Sequence, residues 1–326
     1  MKKWTVIFAI VFVVAAIAFG VSVAAYGVTW GEYGGVVNSL SNFVPNGEQM
    51  PVSDSELTGE YSKVEISVIS AETTIIFADT DKVKVHYETG NASTTVSAEI
   101  RNGKLEIREN AQFFLSFLGG SWRKSTLEIT MPQKELDKFT YNATSGDIEF
   151  EGLTAKRIDL NSVSGNMNLG LFAEDIDINT VSGTISITNC TDRECDSLTI
   201  YSTSGDYNVS GFHTRKFTID TTSGDYNLSG MSGECEINAT SGSISVDFDE
   251  WTDDVDINLI SGNVRLNVPE GSGAEIDFTG MSGSVRARLG DSEVTVAKNS
   301  GKTTAGGENV HKVTVTATSG DVRIEN

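Results

Sequence analysis

Proline is scarce in this chain, four residues in 326, while glycine reaches 32. Flexible or proline-rich low-complexity chains raise both, whereas repeated tight turns raise glycine alone, so the imbalance points to a repeat. Basic residues are the minority charge. Lys+Arg 24 against Asp+Glu 45 leaves a formal net charge of −21, which argues against nucleic acid or an anionic lipid surface as partner, because phosphate backbones reward clustered Lys and Arg. The three histidines, His86, His213 and His311, lie far apart in the sequence, so no metal pair or catalytic base with an obvious partner can be assembled from them. No G-x-S-x-G elbow occurs, which leaves the many serines as turn residues rather than nucleophiles. What is present, 39% hydrophobic and 21% charged residues, is ordinary globular composition able to bury a core.

The longest uncharged run is Trp4 to Val28, enough to cross roughly 30 Å of hydrocarbon as a helix. Lys2 and Lys3 precede it and no basic residue follows until Lys63. The positive-inside bias therefore puts the N-terminus in the cytoplasm and the C-terminal body outside the cell membrane, as a single-pass protein. A cleaved signal peptide is the competing reading, with Ser22-Val23-Ala24 or Val23-Ala24-Ala25 offering small residues to a peptidase. The run exceeds the usual apolar length of a signal peptide, which favours a retained transmembrane helix or uncleaved signal anchor over residues 1–28. Residues 29–60 mix Gly, Ser, Asn and two prolines with little periodicity and read as a spacer.

Self-similarity dominates the rest. Gly146, Gly165, Gly183, Gly205, Gly224, Gly242, Gly262, Gly283, Gly301 and Gly320 each follow a serine, at separations of 18 to 22 residues. Seven residues before each stands an apolar residue, from Phe139, Ile158 and Ile176 through Cys235 to Val313; five before, Tyr141, Leu160 and Ile178 begin a second apolar column. Two and four after the glycine come pairs such as Ile148 and Phe150 or Tyr226 and Leu228, with Thr303 and Ala305 the weakest. Alternation of this kind predicts one strand before the Ser-Gly and one after it, with the glycine supplying a corner at positive φ. A looser third column, Leu153, Phe172, Phe212, Met231, Phe248, Val268 and Leu289, completes the unit.

So small a unit cannot bury its own apolar face. Stacking at about 4.8 Å pairs each strand with its neighbours and makes one continuous core. The expected fold is all-β, a single-stranded β-solenoid or β-helix of about ten 18–22-residue coils over residues 139–326, with an N-terminal transmembrane helix. Residues 61–138 hold less regular strands and read as the N-terminal cap and first coils, since a stack needs its open edges covered. Asn142, Asn161, Asn179, Asn238 and Asn258, four before the corner glycine, predict a ladder of side-chain amides. An antiparallel sandwich also has short strands and glycine turns, but its strands differ in length where these do not.

The recurring V/T-S-G-D/N-apolar-x-apolar unit, preceded by DKV-type and KLEI-type strands and an N-terminal apolar segment, resembles a bacterial envelope family described as putative adhesins of unknown function. Members of the Lia type are tied to envelope-stress responses. The resemblance spans about residues 61–326; it implies the stacked fold and no defined catalytic or binding residue.

Candidate chemistry is sparse. Ser300-Gly301-Lys302-Thr303 looks like the end of a phosphate loop, but the earlier glycine falls at Val296, and the four residues read as the ninth corner. Acidic runs occur at Glu174-Asp175-Asp177, at Asp247-Asp249-Glu250 with Asp253-Asp254-Asp256, and at Asp220 near Asp225, without a calcium-repeat or EF-hand spacing. Cys235 falls in the inward column as a small hydrophobe, and Cys190 and Cys195 fit a disulfide closing the longest unit. Phe113 to Trp122 breaks alternation and reads either as a plug over the first coil or as an exposed contact patch. These observations nominate no catalytic, cofactor-binding or metal residue and no cofactor. The expected function is a membrane-anchored, surface-exposed, non-catalytic binding or scaffold module of the cell envelope, its partner an envelope protein or cell-wall glycan. A calcium-dependent polysaccharide binder or carbohydrate-active enzyme using the acidic coils near residues 247–256 is the first alternative. An envelope-stress regulatory protein acting through a membrane partner is the second.

Overall fold

The computed structural model describes residues 52–89, 94–111 and 124–326. The 1–28 span and the Phe113–Trp122 segment lie outside the described residues. All regular elements described are strands. In chain order they are β1 (Val52–Leu57), β2 (Lys63–Val68), β3 (Glu72–Ala78), β4 (Val83–Glu88), β5 (Thr94–Arg101), β6 (Lys104–Ala111), β7 (Thr126–Pro132) and β8 (Leu136–Ala143). There follow β9 (Ile148–Ser162), β10 (Met167–Thr180), β11 (Thr184–Asn189), β12 (Cys195–Ser202), β13 (Asp206–Ser210), β14 (His213–Thr221) and β15 (Asp225–Ala239). The last are β16 (Ser243–Phe248), β17 (Val255–Leu259), β18 (Asn263–Asn267), β19 (Ser272–Leu289), β20 (Ser292–Gly306), β21 (Asn309–Ala317) and β22 (Asp321–Glu325). Within the stretch read as a spacer, Val52–Leu57 is thus a strand: β1 pairs antiparallel with β4 from Val52↔Glu88 to Leu57↔Val83, and Leu57 packs against the core. Its polar residues hid it, because an edge strand is held by backbone pairing more than by an apolar face.

The fold is all-β and β-solenoid-like. Each coil runs up one face before the corner and down the other after it, and consecutive coils pair in parallel and in register. Phe139, Ile158 and Ile176 are direct partners, and the column continues through Leu198, Phe217, Cys235 and Val255, every member at most 1% exposed. Each such side chain contributes about 1.5–3 kcal/mol relative to leaving it in water. The second face supplies Ile148, Phe150, Met167, Leu169 and their successors, and the faces meet at contacts such as Phe139 on Phe150, ring centroids 5.6 Å apart. The chain returns from the second face to the first at the third apolar column, where β10 shifts register against β9 after Gly170.

At the corner, an added Cβ on Gly165, Gly183, Gly205, Gly224, Gly242 or Gly262 would meet the carbonyl oxygen of the preceding corner glycine at 2.1–2.7 Å. All have positive φ, so glycine is needed both for the conformation and for the close approach of backbone to backbone. The amide ladder forms in two runs. Asn161 donates to Asn142 at 3.0 Å and Asn179 to Asn161 at 3.1 Å; Asn258 donates to Asn238 at 3.0 Å. Tyr201 and Asp220 occupy the two rungs between the runs.

The coils do not stack in chain order, and one of the ten expected corners is not a corner. β17 and β18 pair in parallel with β21 and β22, which in turn pair with the two halves of β19. The last coil is therefore inserted between the Gly262 and Gly283 coils. β20 runs antiparallel to β19, with Phe278 opposite Gly301, so Ser300-Gly301 lies in extended strand and the weak Thr303/Ala305 pair belongs to an edge. The column of stacked corners instead begins at Ala71, whose carbonyl oxygen lies 2.4 Å from a Cβ on Gly146. The other end repeats the arrangement. β2 lies between β8 and β6, β3 lies between β9 and β7, and the antiparallel β5, β4 and β1 cover the outside. Both terminal coils are thereby paired on two sides, and both outer edges are antiparallel, which blunts the open edges of a parallel stack.

One corner lacks a neighbouring coil's carbonyls. Corner N–H groups elsewhere donate across the stack, as Ser145 N does to Ile69 O at 2.8 Å and Ser164 N to Thr144 O at 3.1 Å. At the Ile69–Ser70–Ala71 corner the acceptor is Glu109, whose side chain is 0% exposed. Its Oε2 accepts from the three backbone N–H groups at 2.7, 2.9 and 3.2 Å, and its Oε1 accepts from the Tyr87 hydroxyl at 2.9 Å.

Candidate functional site

With the inward columns filled by side chains, chemistry is confined to the outward columns of the two faces. On the face before the corner, acids and amides alternate with hydroxyls, tied by ion pairs such as Lys138 Nζ to Asp159 Oδ2 at 2.5 Å and Arg157 Nε to Asp159 Oδ1 at 2.8 Å. Arg157 also reaches Asp177 on the next coil. Asp220, at 6% exposure, has its carboxyl pushed up by burial. The Asn238 amide opposes that shift and the Glu236 charge adds to it.

The face after the corner carries a groove of about 440 Å³. Along its floor runs the column three residues past the corner glycine, where Asn208, Asn227, Ser245, Arg265 and Arg323 are consecutive cross-strand partners; Arg286 is the next rung of the column, beyond the groove. Asp206 and Asp225 flank it at the amide end and Asp321 at the arginine end. Arg265 Nε lies 3.2 Å from Glu325 Oε1. Asp321 Oδ1 accepts from the Ser284 hydroxyl at 2.7 Å. The column was visible in principle as three arginines at the same offset from a Ser-Gly, but their adjacency depends on the insertion of the last coil between the other two.

The residues singled out in the sequence do not converge. Asp247, one residue before the end of β16, accepts from Asn267; Asp253 accepts from the Thr252 hydroxyl at 2.7 Å; Asp254 accepts from Lys312 N at 3.0 Å; Asp256, on the opposite face, accepts from Asn258 at 3.1 Å. Asp175 accepts from the Ser197 hydroxyl at 2.6 Å. Asp220 and Asp225 stand on different faces. Among the described residues no group of three or more His, Cys, Asp or Glu is placed to hold a metal ion. The Cys190–Cys195 disulfide does not form; both are free thiols. Cys195 turns inward and donates to Glu174 O at 3.3 Å and Ser197 O at 3.2 Å, and burial pushes its thiol up to about 12. Cys190 remains on the exposed side. Cys235 is buried in the inward column as read, its thiol also raised by burial.

His86 ties β4 to the edge strand β1. Its Nδ1 lies 2.6 Å from Asp54 Oδ1 and its Nε2 lies 3.4 Å from Glu88 Oε1. The hydrogen bond to Asp54 raises its pKa above 6.5. A raised folded-state pKa means that the stabilisation is fully present below the unfolded value and is lost as pH rises through the folded one. An NMR titration is expected to place the His86 midpoint above 6.5, and Asp54→Asn to bring it back down. A midpoint unmoved by that substitution rejects the pair.

Stacked in-register coils with filled interiors and polar outer columns define an all-β, β-solenoid-like module. The chain belongs to the family described as Toastrack DUF4097, whose model matches residues 61–325. Among solved structures it is similar to a putative adhesin from Bacteroides fragilis, at 14% identity over 85% of this chain and 100% of that one, with a TM-score of 0.43. It is also similar to a putative lipid binding protein from Parabacteroides distasonis, at 13% identity over 84% and 96% with a TM-score of 0.41. A putative adhesin from Parabacteroides merdae gives 12% identity over 84% and 95%, and 0.41. A comparison with curated proteins returned no match.

Proposed function

We propose that this chain is a membrane-anchored, surface-exposed binding or scaffold module of a bacterial cell envelope, acting without catalysis. The observation that carries the reading is the division of labour across the coils. The inward columns are apolar and filled along the stack, so the repeated outward columns are what a partner meets, and a stacked array binds by repetition. The uncharged run from Trp4 to Val28 with Lys2 and Lys3 before it supports an anchor with the body outside. The separation of the acidic residues over two faces and a loop, most already accepting a hydrogen bond from the chain, favours binding over metal-assisted or acid–base chemistry.

Protease treatment of intact cells expressing the full chain with a C-terminal tag tests the placement. The tag is expected to be lost from intact cells while an N-terminal fragment stays with the membrane fraction. A tag protected in intact cells and cleaved only after lysis refutes the proposed orientation.

A further inference from the structure

Like charges directly opposite one another in a sheet destabilise it, and this chain has few basic residues to spare. Yet Arg265, Arg323 and Arg286 occupy three consecutive rungs of one column, about 4.8 Å apart, all exposed. Six other basic residues, Lys82, Lys104, Lys124, Lys156, Arg157 and Lys216, each meet a carboxylate. In the arginine column only Arg265 does, and among the described residues Arg323 and Arg286 have no ion pair. Arg288, one column over, stands in register between Glu325 and Glu293 and is the weaker contributor. Two unpaired guanidinium groups on rungs next to a third carry a repulsive cost for the fold.

We propose that this column is a binding site for a linear anionic glycan. Its carboxylate or phosphate groups sit on Arg265, Arg323 and Arg286, and its sugar hydroxyls lie on the amide and hydroxyl track of Asn208, Asn227 and Ser245. The guanidinium fork matches both oxyanions. The track, Arg265 and Arg323 line one groove, and Arg286 is the next rung of the same column, so neutral and charged units of one chain are read in series. An acidic peptide fits less well, because same-side residues of a strand repeat at about 6.6 Å rather than at the rung spacing. A flat anionic membrane would also face Asp206, Asp225 and Asp321 on the groove walls, which a narrow polymer passes between.

The inference rests on the binding-module reading above, and its test uses purified full chain in detergent, so it is independent of where the protein resides. Binding of oligogalacturonate and of a phosphodiester-linked oligosaccharide is measured by calorimetry across a salt series. Neutral dextran and phosphatidylglycerol vesicles are run alongside. At least one anionic polymer is expected to bind, more weakly as salt rises, and the one that binds identifies the oxyanion. The Arg286→Gln/Arg323→Gln pair is expected to weaken binding by about tenfold or more. Arg101→Gln, an exposed arginine on β5 without an ion pair, is expected to leave it unchanged. Because the pair relieves like-charge repulsion, its melting temperature is expected to match or exceed that of the parent, which separates lost binding from lost folding. Binding of neither polymer, binding of vesicles or dextran alone, or equal losses in Arg101→Gln and the double variant each overturn the proposal.

Discussion

Gly224→Ala is expected to destabilise the stack on the order of 4–5 kcal/mol, at the extreme of what single substitutions do. Two effects combine. The residue sits at φ +136°, where an L side chain is strained, and its Cβ would lie 2.1 Å from Gly205 O and 3.1 Å from Gly205 C and N. Backbone cannot move aside as a flexible side chain can, so the coils must separate, which stretches the in-register pairing of Tyr207 with Tyr226 and Val209 with Leu228. Those tyrosine rings are stacked at 4.7 Å with their planes 4° apart, a contact that depends on the coil spacing. Because coils contact only their neighbours, the damage is local. Hydrogen exchange is expected to lose protection first around residues 206–246 while the terminal coils keep theirs. Gly290→Asn is the control. Gly290 turns the β19–β20 hairpin at φ +56° with open space around a Cβ, and asparagine tolerates that region, so a change under about 1 kcal/mol is expected. A Gly224→Ala variant as stable as Gly290→Asn would show that the corner column is not in backbone contact.

Glu109→Ala is expected to cost about 3–5 kcal/mol and to act at the other end of the molecule. The carboxylate gathers three backbone N–H groups and the Tyr87 hydroxyl in a buried position, and truncation leaves donors that no neighbouring coil can satisfy. Tyr87 is already pushed up, first by burial and then by the Glu109 charge; removing that charge is expected to lower its titration. Exchange should rise in β2, β3 and β6 while the coils from residue 148 onward hold. Glu109→Gln, which keeps one acceptor oxygen and the volume, is expected to fall between the parent and the alanine variant. Equal stability of all three would mean that the corner donors find other acceptors.

The inward columns of the regular coils were legible residue by residue. Phe139, Ile158 and Ile176 were assigned to one column from their offset to the corner glycine, and they are direct strand partners at the centre of the core. The amide ladder was legible except where Tyr201 and Asp220 replace asparagine. Glu109 was legible only in part: alternation with Leu105 and Ile107 puts it on the inward side of β6, but its role appears only when β6 is laid beside the corner of β2 and β3. Gly301 was misassigned because Ser-Gly is a two-residue signal, while its failing apolar pair, Thr303 and Ala305, was the better indicator. The Cys190–Cys195 pairing failed because spacing in sequence does not say that Cys195 turns inward.

What the amino-acid order determined unaided is the face taken by the alternating residues of the regular coils and the register between those coils, since polarity alternation and the Ser-Gly corner act within a single unit. Which coils become neighbours was decided by the tertiary structure alone. Near-identical units pair equally well with any other copy, so the order follows from the need to cover both open edges, met here by threading each terminal coil one place inward. That choice, invisible in the repeat, set Arg323 between Arg265 and Arg286 and Glu109 under a corner that no coil completes.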